Sequence, residues 1–238
     1  MERPKRNEPL LLPPETVHAE ATGDGSMTLR HPVLGDLYHS SRGAFGEAEH
    51  VYIRAGFDAC SGPDVRVFEM GFGSGLNALL TLRRAGETGR RVEYHTVEFY
   101  PLAWETVERL GYVSPEDPFY EPFRNMHICP WKEETEIAPG FRIKKHDGEL
   151  ADTEPDAIFD VIYFDAFAPE TQPDLWSETV FRKLFRHTAP GGVLVTYSAK
   201  GEVKRALRAA GYEVTRLPGA LGKRHMVRAV RKTETSAR

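Results

Sequence analysis

The chain has 238 residues, 40% hydrophobic and 28% charged, with a formal net charge of −4, values that suit one domain with a sizeable core and argue against a generic nucleic-acid binder. No apolar run approaches 18 residues, which excludes a membrane-spanning helix on length, and Met1-Glu2-Arg3-Pro4-Lys5-Arg6 is followed by no apolar stretch of the kind a secretory signal needs. Only two cysteines occur, Cys60 and Cys129, in dissimilar contexts; a disulfide framework or zinc site is not expected, and a reducing cytoplasm is the expected home.

In chain order, residues 1–25 are rich in Pro, Glu and polar residues and read as a loose extension. Residues 26–60 form a small unit: short β-like stretches from Ser26 to Ser41, broken at His31-Pro32 and Gly35-Asp36, suggest a hairpin. Gly43 to Ala55 then suggests a helix with Phe45, Val51, Tyr52 and Ala55 as its apolar contacts. Residues 61–232 read as the main domain, and 233–238 as a tail. Within that domain the strands expected are Val65–Met70, Val92–Val97, Phe141–Lys145, Asp160–Asp165, Val193–Ser198, Tyr212–Leu217 and His225–Val230. Helices are expected at Leu76–Ala85, after Pro101, at Ser177–His187 and at Gly201–Ala210. Residues 112–140, with many Pro and acidic residues, interrupt this rhythm as an insertion. The alternation predicts an α/β fold: a mainly parallel, seven-stranded sheet with helices on both faces and a small N-terminal β/α extension. Ligands in such sheets bind at the carboxyl ends of the strands, near the switch in strand order.

The first strand runs into Glu69-Met70-Gly71-Phe72-Gly73-Ser74-Gly75, where glycine permits φ > 0 and close backbone approach to a ligand. NAD sites use a glycine loop too, but with G-x-G-x-x-G spacing and a pyrophosphate over the helix N-terminus. Here the third glycine comes one residue early and Leu76-Asn77 follow, as in the E-x-G-x-G-x-G motif of Rossmann-like methyltransferases. Glu98 ends the second strand and can accept from both hydroxyls of a ribose, a role shared by NAD and S-adenosylmethionine sites. Asp147, after the third strand, is either an acceptor for an adenine amino group or a turn residue before Gly148.

The fourth strand ends in Asp165-Ala166-Phe167-Ala168-Pro169, followed by Pro173-Asp174-Leu175-Trp176. A primary ammonium has no lone pair until it loses a proton, and a carboxylate beside it can align the nitrogen and accept or relay that proton. Asp165 is therefore the candidate catalytic residue, with Phe167 and Pro169 shaping the pocket; Trp176 is either pocket or core. The nine histidines lack ligand spacing, so no metal site is expected. Between Lys200 and Lys232 ten Lys/Arg stand against two acids, Glu202 and Glu213, either a basic face for a polyanion or solvated faces of the last elements.

The runs Glu69–Asn77, Phe164–Pro169 with Pro173–Trp176, Pro190-Gly191-Gly192 before Tyr197-Ser198, and Gly222-Lys223-Arg224-His225-Met226 resemble the MnmC/MnmD family of tRNA wobble-uridine methyltransferases over roughly residues 26 to 230. The resemblance implies a class I, Rossmann-like fold and methyl transfer from S-adenosyl-L-methionine to the 5-aminomethyl group of uridine 34. It implies cofactor roles for Glu69, Gly71, Gly73, Gly75, Asn77, Glu98, Asp147 and Asp165, and a catalytic role for Asp165. It gives the basic residues, Lys223 and Arg224 among them, a partner in the tRNA anticodon stem-loop, whose wobble base can be splayed out and stacked on Phe167 or Trp176. Some family members carry an FAD-dependent oxidase domain that prepares the aminomethyl group. This sequence has no room for it, so a stand-alone enzyme without FAD, linked functionally to whichever enzyme makes that group, is expected. A small-molecule amine methyltransferase or an aminopropyltransferase resembling spermidine synthase is the alternative on the same fold.

Overall fold

The computed structural model describes residues 12, 16–148, 150 and 153–233; most of the expected N-terminal extension and of the 233–238 tail lies outside them. Its centre is an eight-stranded sheet, one strand more than expected. In chain order the strands are β3 (Asp64–Met70), β4 (Arg91–Glu98), β5 (Glu134–Ala138), β6 (Phe141–Asp147), β7 (Phe159–Phe164), β8 (Thr188–Thr196), β9 (Glu213–Pro218) and β10 (His225–Val230), arranged in space as β5-β6-β4-β3-β7-β8-β10-β9. The run from β6 to β8 is parallel, while β5 and β10 join antiparallel to their neighbours. The additional strand is β5, from the segment read as an insertion. It pairs with β6 at the sheet edge, and helix α4 (Tyr120–Ile128) precedes it.

Both faces of the sheet are apolar, because alternate side chains of a strand point to opposite sides. On β3, Val65 and Val67 face one core while Phe68 and Met70 face the other; on β7, Val161 and Tyr163 are divided in the same way from Ile162 and Phe164. Helix α2 (Leu76–Thr88) buries Leu76, Leu79, Leu80 and Leu82 in the first core. Full burial of such a side chain is worth about 1.5–3 kcal/mol. Helices α5 (Glu178–Arg186) and α6 (Gly201–Ala210) cover the second core with Val180, Phe181, Leu184, Val203 and Leu207. Ser177 begins α5 as its N-cap, its hydroxyl accepting from the Val180 N–H.

The segment 112–140 is anchored by a fully buried lysine. Lys145 on β6 donates from Nζ to the His127 carbonyl at 2.7 Å and lies 4.7 Å from the Trp131 ring centroid. Hydrogen bonding and a cation–π contact offset the cost of burying that ammonium.

The N-terminal part differs from its reading in two ways. A hairpin is present, but its strands are β1 (His18–Ala21) and β2 (Met27–Arg30), so residues 18–21 are ordered structure rather than loose extension. The turn holds them: the Thr22 hydroxyl donates to Asp24 Oδ1 at 2.8 Å and the Ser26 N–H donates to the same oxygen at 3.1 Å. The helix expected from Gly43 begins as α1 (Ala44–Ala48) and continues as a π-helical turn over Glu49–Arg54. The helix after β4 opens later than Pro101, as α3 (Trp104–Glu108), because Glu98 Oε1 accepts the Phe99 and Tyr100 N–H groups and turns the chain first.

Candidate active site

The carboxyl ends of β3, β4 and β7 meet residues 34–52 of the N-terminal unit around a cavity of about 340 Å³. On the sheet side, Gly71 and Gly73 form its wall, at φ of +90° and +51°. A Cβ on Gly71 would stand 2.9 Å from the Asp165 carbonyl oxygen, and one on Gly73 would stand 3.0 Å from the Tyr38 ring, so side chains are excluded by strain and by space. Gly75, also at positive φ, is the N-cap of α2 and lies behind the wall. Ser74 Oγ lies 2.6 Å from His39 Nε2, which ties the glycine loop to the N-terminal unit.

Glu98, at the end of β4, faces the cavity. Its Oε2 accepts the Gly73 N–H at 2.9 Å, and its Oε1 accepts Phe99 and Tyr100 N–H at 2.9 and 2.7 Å. Burial raises its pKa, and those three backbone donors act against the rise by favouring the carboxylate. The carboxylate is thus fixed in place, with about one acceptor position left, on Oε2, for a ribose hydroxyl. Asp147 pairs in register with Glu98 on the neighbouring strand but is held by Lys132 at 2.8 Å; the cavity wall there is made by Gly148 and Leu150.

Asp165 sits at the end of β7, half-buried at the cavity floor. Tyr52 donates to its Oδ1 at 2.5 Å and Asn77 Nδ2 donates to its Oδ2 at 2.8 Å. Burial pushes its pKa up to about 7, although both hydrogen bonds favour the ionised form. Asn77 Nδ2 also donates to Glu69 Oε1 at 3.0 Å, and Thr96 donates to Glu69 Oε2 at 3.1 Å. Glu69 is fully buried, and burial raises its pKa well above the ordinary value. It lies beneath the cavity rather than in it: it positions Asn77, which in turn positions Asp165.

Beside Asp165, Lys223 is turned into the cavity, ion-paired to Glu47 and 5.4 Å from the Tyr197 ring centroid. It does not point outward with Arg224, which is exposed. Phe167 lines the mouth in an aromatic cluster, with centroids 5.1 Å from Tyr38 and 5.3 Å from His31. Trp176 is buried behind this loop and donates from Nε1 to the Phe167 carbonyl at 2.9 Å, so it supports the pocket without lining it. Pro169 is likewise buried outside the cavity lining. The cavity therefore gathers Gly71, Gly73, Asn77, Glu98, Asp165, Phe167 and Lys223, and leaves Glu69, Gly75, Asp147, Pro169, Trp176 and Arg224 around it. Sequence reasoning passed over Tyr38, Arg42, Glu47 and Tyr197 as cavity residues and read Tyr52 only as an apolar contact. All but Tyr197 come from the N-terminal unit, which carries no motif spacing.

These residues fit S-adenosyl-L-methionine: a fixed carboxylate for a ribose at Glu98, a glycine wall where no side chain is tolerated, and a second carboxylate, Asp165, lining the same cavity. A family described as S-adenosyl-L-methionine-dependent methyltransferase matches residues 141–232. The bifunctional tRNA 5-methylaminomethyl-2-thiouridine biosynthesis protein MnmC of Pseudomonas paraeruginosa is 32% identical over 232 residues, 88% of this chain and 34% of that protein. The chain thus spans about a third of the length of the curated relatives it matches. Among solved structures, MnmC2 from Aquifex aeolicus superposes with a TM-score of 0.70 at 25% identity, covering 91% of this chain and 71% of that one. Spermidine synthase from Thermotoga maritima, at 15% identity and a TM-score of 0.50 over 91% of this chain and 72% of its own, shares the fold alone. Among the described residues no helix is long and apolar enough to cross a membrane. Residues 141–232 thus match the S-adenosyl-L-methionine-dependent methyltransferase family, and the chain is similar to one part of the bifunctional MnmC proteins.

Proposed function

We propose that this methyltransferase acts on tRNA in the cytoplasm, converting the 5-aminomethyl group of wobble uridine 34 to 5-methylaminomethyl, on a base that is often 2-thiolated. The observation that carries the reading is the Asp165 carboxylate at the cavity floor, with a pKa of about 7 and both oxygens held by Tyr52 and Asn77. S-Adenosyl-L-methionine, when bound, supplies a methyl group already activated on a sulfonium, which an amine lone pair can take as the carbon–sulfur bond breaks. Gly71, Gly73 and Glu98 would hold it, with Asn77 at the inner end and the Asp147 region beside the adenine.

The chain's contribution is then alignment and proton removal. Asp165 accepts a hydrogen bond from the substrate ammonium and takes or relays its proton, so that the nitrogen presents a lone pair. Tyr52 and Asn77 keep the carboxylate ionised against its burial. Phe167 and Tyr38 offer ring faces against which an unstacked base can pack, while Trp176 and Pro169 hold that loop. Lys223 balances the Glu47 and Asp165 charges inside the pocket, and Arg224 lies outside it, where phosphate can reach. The primary amine must come from a preceding reaction that frees it on the same uridine.

The test is nucleoside analysis of tRNA bearing 5-aminomethyluridine after incubation with the protein and S-adenosyl-L-methionine. Conversion to 5-methylaminomethyluridine is expected. Equal methylation of tRNA lacking the amine would contradict the reading.

A further inference from the structure

A second cluster of chemistry-bearing side chains lies apart from the methyl-transfer cavity and independent of its reading. His95 on β4, His146 on β6 and Asp156 in the segment before β7 bring one ligand-type atom each to within 4.8 Å of one another. None of the three lines the methyl-transfer cavity; His95 and Asp156 line a separate cleft with Glu93, Lys132, Glu134 and Lys144 at its edges. Fifty-one residues separate the two histidines, so no sequence spacing exposes the pair; it is the parallel register of β4 and β6 that puts them together.

We propose that His95, His146 and Asp156 form a binding site for a divalent transition-metal ion of the Zn²⁺ type. His95 Nδ1 and His146 Nε2 are 3.3 Å apart. That is long for an N–H···N hydrogen bond. It matches the roughly 3.3 Å between two nitrogens that each lie about 2.05 Å from one tetrahedral ion. Asp156 Oδ1 stands 3.7 Å from His95 Nδ1, within the small adjustment an exposed side chain can make.

The groups around the three donors are arranged as outer partners of metal ligands. Glu93 Oε1 lies 3.1 Å from His95 Nε2 and accepts a hydrogen bond from it, which leaves Nδ1 as the lone pair aimed at His146. A carboxylate behind a ligating imidazole fixes the tautomer and raises its basicity. Lys144 Nζ donates to Asp156 Oδ2 at 2.5 Å and leaves Oδ1 toward the histidines. Two imidazoles and one carboxylate suit Zn²⁺ and its neighbours rather than Mg²⁺ or Ca²⁺, and three protein ligands leave a fourth position for water.

Such an ion would clip β4 and β6 to the segment leading into β7. It would do so two residues before Gly148, which with Leu150 forms a wall of the donor cavity. Its effect is therefore expected in stability and in the order of that wall, not in the chemistry at Asp165.

The test is titration of chelator-treated full-length protein with Co²⁺, followed by displacement with Zn²⁺. One Co²⁺ per chain, with the visible absorption of a four-coordinate site, is expected, together with a Zn²⁺-dependent rise in melting temperature. His146→Gln and Asp156→Asn, chosen because neither side chain is in the core, should each weaken Co²⁺ binding at least tenfold, with circular dichroism unchanged. His146→Gln should also abolish the thermal shift. No stoichiometric Co²⁺ absorption, or absorption unaffected by both substitutions, would overturn the proposal.

Discussion

The Tyr52 hydroxyl donates to Asp165 Oδ1 at 2.5 Å, joining residues 113 positions apart. Tyr52 comes from the π-helical turn of the N-terminal unit and is buried; Asp165 ends a central strand. The candidate base is therefore held by the unit that closes the cavity as well as by the sheet that carries it.

That relationship sets a pH dependence. Burial drives the Asp165 carboxyl up to about 7, and the Tyr52 hydrogen bond opposes the rise. A hydrogen bond to a charged group is worth about 1.5–3 kcal/mol, roughly one to two pKa units. In Tyr52→Phe the acidic limb of kcat/KM should move about one unit to higher pH. Turnover at pH 7 should fall roughly five- to tenfold and recover near pH 9. A uniform loss at every pH would show that Tyr52 acts by another route.

The same carboxyl affects stability. An unfolded Asp titrates near 3.9, below the folded value of about 7, so the folded chain holds the extra proton between these two pH values. Its contribution to stability is full below about pH 4, falls as pH rises to about 7 by up to about 1.4 kcal/mol per unit, and is level beyond. Asp165→Asn does not titrate. Its melting temperature relative to wild type should be higher at pH 8 than at pH 5, and a difference that does not depend on pH would refute the assignment.

In the proposed function, donor binding is assigned to Glu98, whose two oxygens already accept three backbone N–H groups. In Glu98→Gln an amide N–H₂ must face one of those donors, and the acceptor for a ribose is weakened. Calorimetry should show S-adenosyl-L-methionine affinity reduced about tenfold or more, with the fold retained. Unchanged affinity would remove Glu98 from the donor site.

Arg224 is exposed, while Arg42 lines the cavity mouth and reaches the Leu221 carbonyl at 3.1 Å. Each released phosphate contact lowers the slope of log affinity against log salt by about 0.7–0.9. Arg42→Ala with Arg224→Ala should weaken tRNA binding most at low salt and reduce that slope by roughly one to two. Equal affinity for both proteins across the salt range would place the tRNA elsewhere.

The main domain was readable in advance where local pattern and burial agree. Val65–Met70 and Asp160–Asp165 are apolar runs because both sheet faces are covered, and the glycine loop keeps its spacing because Gly71 and Gly73 admit no Cβ. The β5 edge strand escaped notice since Glu134–Ala138 has only Ile137 buried and reads as polar loop. The cavity side of the N-terminal unit escaped for another reason. Glu47 and Tyr52 look like helix-surface and core residues until tertiary packing turns them toward Asp165, and only the fold shows Lys223 paired with Glu47.

The central claim is that Asp165 frees an amine for methylation in a cavity that binds the methyl donor separately. Its most direct test is single-turnover transfer of a labelled methyl group to tRNA carrying 5-aminomethyluridine, by wild type and Asp165→Ala, with donor affinity measured on both. The expected result is a loss in rate of at least about a hundredfold, in the range of general-base catalysis, while donor affinity stays within a few-fold. An Asp165→Ala rate near wild type would contradict the account.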